Sequence, residues 1–196
     1  MGTIPQKNTV PQGAHDKRAR IVETAAKLVH EHGFARTSLA DIAQESGVPL
    51  GNLYYYFKTK DAIGEALVDR VSVETAAARA MWEAELEPRD RIQAFIQATI
   101  DNRESVARSG CRVGSLCAEL HKEPGPLAHR AASLFEGFFK WLEAQFRLLG
   151  KGAASRDLAF HLLSSVQGAS LLANTFHDTR QVTRECNRLK EWVRSL

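Results

Sequence analysis

The side chains in this sequence best suited to chemistry lie between Ser38 and Lys60, and what they suit is gripping a nucleic-acid duplex. Asn52 can donate and accept at once, as an adenine edge requires, while Pro49 and Leu50 offer apolar contact to a thymine methyl. Gly51 has no side chain, so the backbone there can approach DNA closely. Lys58 and Lys60 supply ammonium donors for phosphates, Ser38 adds an N–H and a hydroxyl, and the tyrosines Tyr54 and Tyr55 are expected to be exposed beside them. This set is weakly polar for reading bases, so DNA shape and backbone contacts are expected to carry much of the specificity. Three consecutive tyrosines cannot share one helical face, so at least one is expected to have a structural share.

A second cluster surrounds Cys111 in the run Gly110-Cys111-Arg112-Val113-Gly114-Ser115-Leu116-Cys117-Ala118-Glu119-Leu120. A thiol at a helix start beside Arg112 is in a setting that favours thiolate. Plain burial is the competing reading, because cysteine is among the most buried residue types. Nothing else in the sequence suggests a reactive centre. His30 and His32 lie two apart and point to different helix faces. His161 with His177, and Glu119 with His121, are no better arranged, and neither a Gly-rich phosphate loop nor a zincin motif is present. No catalytic residue, no metal site and no cofactor are expected.

The elements that must position the first cluster are two short helices around a tight turn. Ser38 with Asp41 has capping-box spacing, and Leu39, Ile42 and Ala43 give the helix they start one apolar face. Gly47 can end that helix at positive φ, and Pro49 suits the first turn of the next. Leu53 and Phe57 are expected to pack on Leu39, Ile42 and Val29. Before them, Ile21, Ala25, Leu28 and Val29 line a helix ending at Gly33. After them, Thr59 can cap a longer helix carrying Ile63, Leu67 and Val71, with Pro88 marking a break.

The rest is helical in period as well. Stripes run through Ile92–Ile100, Gly114–His121, Leu127–Phe146, Leu158–Phe176 and Val182–Leu196, with Glu123-Pro124-Gly125-Pro126 the clearest breaker. The fold class is therefore all-α with about nine helices: three in a small helix-turn-helix head, one connecting, and five in a larger body. The expected division is a disordered tail at residues 1–15, a DNA-binding domain at 16–60, and a body for ligand binding and dimerisation at 61–196.

The segment Ser38, Asp41-Ile42-Ala43, Gly47-Val48, Gly51-Asn52-Leu53-Tyr54-Tyr55-Tyr56-Phe57, Lys58 and Lys60 resembles the DNA-binding domain of the tetracycline-repressor (TetR) family. The likeness runs from Ile21 to about Leu67. It implies that Tyr54, Tyr55 and Tyr56 touch phosphates, and that the protein is a homodimeric repressor of a palindromic operator in double-stranded DNA, released by a small-molecule inducer. It further implies that an inducer tilts the connecting helix, Thr59 to Glu83, and respaces two heads. The Cys111 run resembles a GC-x-x-G-x-L-x-x-E-L block in a subset of these regulators that includes flavonoid-, acrylate- and electrophile-responsive members. In the electrophile sensors the cysteine matching Cys111 is the reactive thiol, but Asn174 stands where many of that subset carry a lysine.

Composition agrees with this reading and excludes several classes. Residues 1–60 hold eight Lys/Arg against five Asp/Glu, whereas residues 61–196 hold eighteen of each, so the whole net charge of +3 sits in the expected DNA-binding part. Three cysteines are too few and too irregular for a disulfide framework, and no apolar run has transmembrane length. Without a signal-peptide-like stretch at the start, a cytoplasmic protein with no membrane partner is expected. Phe95, Cys111, His121, Phe138, Trp141 and Phe176 are the candidates for lining a fairly apolar ligand cavity. The four-helix dimer interface is expected from Leu127–Leu149 and Ala154–Phe176, with Ser164, Ser165, Gly168, Ala169 and Ser170 allowing close approach. Two alternatives stand beside a reversible ligand sensor: a redox or electrophile sensor acting covalently at Cys111, and a helical DNA-binding module that works only through a protein partner.

Overall fold

The computed structural model describes residues 12–196, with side chains from residue 16 onward. Among the described residues ten α-helices follow one another: α1 (Gln12–His32), α2 (Leu39–Ser46), α3 (Leu50–Tyr56), α4 (Lys60–Glu83), α5 (Pro88–Asp101), α6 (Arg103–Ser109), α7 (Arg112–Leu120), α8 (Pro126–Leu148), α9 (Ser155–Phe176) and α10 (Thr179–Ser195). A 3-10 turn, Gly152–Ala154, precedes α9, and no strand occurs among the described residues. The all-α class expected from sequence holds. The helix that the periodicity did not separate is α6. It follows α5 after a single break at Asn102 and buries only Val106 and Ala107, too little for a readable stripe.

Local chemistry sets the boundaries near the head. Asp41 N–H donates to Ser38 Oγ at 3.1 Å, and Ser38 N–H donates to Asp41 Oδ2 at 2.8 Å, closing the capping box of α2. Gly47 ends α2 at φ 63°, and its N–H reaches the carbonyls of Ala43 and Gln44. Pro49 sits one residue earlier than expected, as the N-cap of α3 rather than in its first turn. Thr59 caps α4, accepting the Ala62 N–H at 3.1 Å. The expected disordered tail, residues 1–15, largely lies outside the described residues, but α1 already begins at Gln12.

Two apolar clusters hold the chain together. In the first, Ile21, Ala25 and Val29 of α1 meet Ile42, Leu53 and Phe57, as the sequence pattern predicts. The same cluster continues into α4 through Ile63 and Leu67, and into α7 through Val113, Leu116 and Leu120. The head is thus anchored to the body by shared core. Leu53 is fully buried, so Leu53→Ala would cost about 2–5 kcal/mol and loosen α3 from its seat. The second cluster joins α5, α8, α9 and α10 around Ile92, Ile96, Leu142, Phe146, Leu162 and Val182. Phe138 packs against both clusters.

The outer face of α9 departs from the expected stripe of small residues. Ser164 and Gly168 are exposed and Ser165 is half-buried, but Ala169 and Ser170 are buried inside the protomer, where Ser170 Oγ donates to the Val166 carbonyl. The exposed line is Phe160, Ser164, Gly168, Leu171, Leu172 and Phe176, a run at helical spacing.

Candidate nucleic-acid interface and cavity

The second helix of the helix-turn-helix presents one face to the core and another to solvent. Leu53 and Phe57 point in, while Leu50, Gly51, Asn52, Tyr54 and Tyr55 are exposed. Tyr55 is the most open at 80 % exposure and Tyr54 is at 46 %. Tyr56 is half-buried against the head core, with its ring edge-on to Tyr55 at 5.2 Å, so it is the tyrosine with the structural share. A Cβ built on Gly51 meets nothing within 4 Å, so nothing inside the protein requires glycine there.

The candidate phosphate donors differ in how free they are. Ser38 is committed: its N–H and its hydroxyl both point to the Asp41 carboxylate. Those two bonds, the hydroxyl first, hold the Asp41 carboxyl below its usual range, so the helix start carries a negative charge where a phosphate was expected. Lys60 Nζ donates to the Ala35 carbonyl at 2.9 Å and lies 4.9 Å from the centre of the Phe34 ring. An ammonium has three donors, so two remain for a phosphate. Lys58 and Pro49 are exposed beside α3, and the Arg18 guanidinium lies over the Phe57 ring at 5.1 Å.

Behind the head lies a partly open cavity of about 350 Å³. Its wall draws on seven helices: His30 of α1; Val71, Glu74 and Trp82 of α4; Phe95 and Thr99 of α5; Ser105 of α6; Cys111 and Arg112 at the start of α7; Phe138 of α8; and Leu163, Val166 and Gln167 of α9. Phe95, Cys111 and Phe138 of the expected set are brought together there. The other three are not. Trp141 is buried one layer back, its ring tilted against Trp82 with centroids 5.4 Å apart and its indole N–H donated to Glu83 Oε1 at 2.8 Å. His121 is exposed at the far end of α7, and Phe176 is 65 % exposed on the outer face of α9.

The Cys111 run owes its glycines to this wall. Gly110 has φ 79°, and a Cβ there would lie 2.7 Å from Ser115 Oγ. A Cβ on Gly114 would lie 2.5 Å from Gln167 Oε1, so Gly114 makes room for Gln167, whose Nε2 approaches Cys111 Sγ at 3.6 Å. Cys111 is half-buried at the N-cap of α7. Arg112, expected to favour its thiolate, is instead paired with Glu74 at 2.7 Å. Asn174 donates to the Ala107 carbonyl and sits beside Gly110. Cys117 is a packing residue, its thiol pushed up to about 11 by burial and, secondarily, by Cys111.

Two residues that sequence reasoning set aside matter here. His30 Nε2 lies 3.2 Å from Ser105 Oγ, while Nδ1 is buried with no protein partner, a state that costs about 1–3 kcal/mol if nothing else satisfies it. Burial first, then the charge of Arg112, lowers its pKa from the usual imidazole value. Glu119 ties the body to the head: it accepts the Ala35 N–H at 3.0 Å and packs over Gly33, which at φ 90° leaves no room for a side chain. The loop between α1 and α2 is thus held by Glu119 on one side and Lys60 on the other. Among the described residues no group of three or more His, Cys, Asp or Glu is arranged for a metal, and no helix is long and apolar enough to cross a membrane.

Known proteins resemble this chain over most of its length. The family profile described as bacterial regulatory proteins, tetR family, matches residues 21–67, and that described as transcriptional regulator LmrA/YxaF-like, C-terminal domain, matches residues 88–184. The HTH-type transcriptional regulator YxaF of Bacillus subtilis is 32% identical over 174 residues, covering 83% of this chain and 87% of YxaF. The HTH-type transcriptional repressor NemR of Escherichia coli is 30% identical over 109 residues, 54% of this chain and 55% of NemR. A regulator of the same family from Chloroflexus aurantiacus superposes with a TM-score of 0.83 at 20% identity, over 93% of this chain and 96% of that one, a likeness of fold.

Proposed function

This chain belongs to the TetR family of bacterial transcriptional regulators, and from that premise we propose that it is a repressor that binds a palindromic operator as a homodimer and is released by a small, fairly apolar inducer. The observation that carries the reading is the pairing of an exposed, glycine-bearing recognition helix with a cavity whose wall includes α4 and the start of α7. Residues 16–60 act as the DNA-binding unit and residues 61–196 as the sensing and dimerising unit. Pro49, Leu50, Gly51 and Asn52 read bases, and Tyr54, Tyr55, Tyr56, Lys58 and Lys60 hold phosphates, with Ser38 serving α2 as its cap. One head makes few contacts, so two linked heads raise the effective concentration at a palindrome. The exposed line from Phe160 to Phe176 on α9, with Leu148 on α8, is the apolar surface that supports dimerisation. An occupant of the cavity presses on α4 and changes the spacing of the heads.

The test is selection of duplexes from a random pool, followed by measurement of mass in solution and of operator release across a set of uncharged aromatic compounds. A two-fold symmetric consensus bound by a dimer and released by such a compound is expected. A consensus with a single half-site, or a monomer on DNA, would sink the homodimer.

A second reading has its own support. Cys111 lines the cavity, is half-buried, and stands at a helix N-cap, so a covalent sensor of electrophiles or oxidants remains the competing mode.

A further inference from the structure

The geometry points to Arg18 of α1 as a further DNA contact: its guanidinium, held over the Phe57 ring at the C-terminal end of the recognition helix, takes a backbone phosphate of the operator. The inference rests on the DNA-binding reading above and extends the grip from α3 and its flanks to the first helix of the head.

Helical phase puts Arg18 there. Ile21, Val22 and Ala25 are buried and follow it by three, four and seven positions, so Arg18 shares the core-facing side of α1. It stands one turn before that side becomes buried and is itself exposed. A long cationic side chain at such a position lays its stem along apolar surface and keeps its charge at the rim. The surface it meets is Phe57, the C-cap of α3, with the guanidinium 5.1 Å from the ring centre. Stacking on a ring holds a guanidinium by its flat face and leaves the in-plane N–H donors pointing outward.

No carboxylate neutralises this charge. Among the described residues up to Lys60, Lys27 is the one cation in an ion pair, with Glu45 at 3.3 Å. Residues 1–15 contain no Asp or Glu, and Asp16, two positions from Arg18, projects from another side of α1. In the body, by contrast, Arg70, Arg112 and Arg130 each have a carboxylate partner. An arginine held in place without a counter-charge is open to an anion, and its fork matches two phosphate oxygens.

The DNA backbone supplies that anion. With seven residues, α3 is about 10 Å long, against a major groove about 8.5 Å deep and 12 Å wide. When its N-terminal residues are at the bases, its C-terminal end emerges at the edge of the groove, where the phosphates run. Lys58, exposed and next to Phe57, stands at that same end. Arg18 and Lys58 thus reach one phosphate wall from two elements.

The experiment measures duplex binding by fluorescence anisotropy from about 50 to 200 mM salt for wild type, Arg18→Gln, Arg18→Lys and Arg20→Gln. Arg20 is exposed on another side of α1 and controls for loss of charge alone. Arg18→Gln is expected to lower the salt slope by about one unit per head on selected and random duplexes alike, Arg18→Lys to keep it, and Arg20→Gln to stay near wild type. Duplexes carrying one uncharged methylphosphonate at each backbone position in turn then locate the contact. One position in each half-site is expected to weaken wild type and not Arg18→Gln. An unchanged slope in Arg18→Gln, an equal loss in Arg20→Gln, or a scan in which every position weakens both proteins alike overturns the inference, while the wild-type slope keeps the DNA-binding reading standing. A wild type that binds no duplex overturns both. If Arg18→Gln does not fold, Arg18→Met, which keeps an apolar stem over Phe57, takes its place in both measurements.

Discussion

Replacing Gly51 with alanine should separate folding from DNA binding, because the two effects have opposite signs. Gly51 is in the first turn of α3, exposed, and free of neighbours where a Cβ would go. Its φ is not among the positive values, so alanine fits the helix without strain. Gly→Ala at such a site stabilises by about 0.5–1 kcal/mol through the unfolded chain, or about 1–4 °C in Tm for a protein of this size. On DNA the same methyl lies where the backbone is proposed to approach the bases. Holding the helix back would forfeit at least one base contact, about 1–3 kcal/mol per head. Two heads on one operator double that loss, so affinity should fall by roughly 30-fold or more. Thermal melting and fluorescence anisotropy on a selected duplex measure the two quantities on one sample. A variant that melts higher and binds the duplex as tightly as wild type would refute the close approach of α3 and with it the role given to Gly51.

Lys60→Ala should weaken binding to selected and random duplexes alike and lower the salt slope by about one unit per head, whereas Asn52→Ala should alter base preference; a Lys60→Ala protein with an unchanged slope would count against the phosphate assignment. Cys111→Ser should retain both DNA binding and release by a reversible inducer. Release of wild type by near-stoichiometric alkylating agent or hypochlorite, lost in Cys111→Ser, would instead establish the covalent mode. Glu119→Ala should cost about 1 kcal/mol in urea unfolding and speed amide exchange at Ala35, whose N–H it holds; unchanged exchange there would remove Glu119 from the link between body and head.

What was legible in the sequence was local. The Ser38–Asp41 capping box, the turn at Gly47 and the Thr59 cap each depend on residues within four positions, and each stands in the structure where the spacing puts it. The cavity was only half legible, because its wall is assembled from seven helices whose register no one-dimensional pattern fixes. Phe138 and Trp141 share a helix face at i and i+3, so periodicity could not tell them apart. The indole N–H decides it: Trp141 turns to Glu83, leaving Phe138 at the wall. His30 was discounted as a metal ligand, yet its neighbours on the wall come from α6 and α7, 75 and more residues away along the chain. Gln167 carried no signal of its own. Its trace was Gly114, a glycine inside a helix, whose missing side chain admits it.

The reversible and covalent modes differ in their trigger more than in their transmission. Both, as proposed, would act at the first turn of α7, where Cys111 and Arg112 line the cavity. There Arg112 is drawn to Glu74, and Asn174 is bonded to the Ala107 carbonyl. From that first turn, α7 runs nine residues to Leu120, roughly 13 Å of rigid helix, and carries Glu119 to the loop between α1 and α2. Its buried face, Val113, Leu116, Cys117 and Leu120, belongs to the same core as Ile42 and Leu53 of the head. A close-packed core transmits a shift at one end to the other instead of absorbing it. On the proposed function, an occupant or an adduct that displaces Cys111 would move the support of the recognition helix either way, and α4 need not be the only lever.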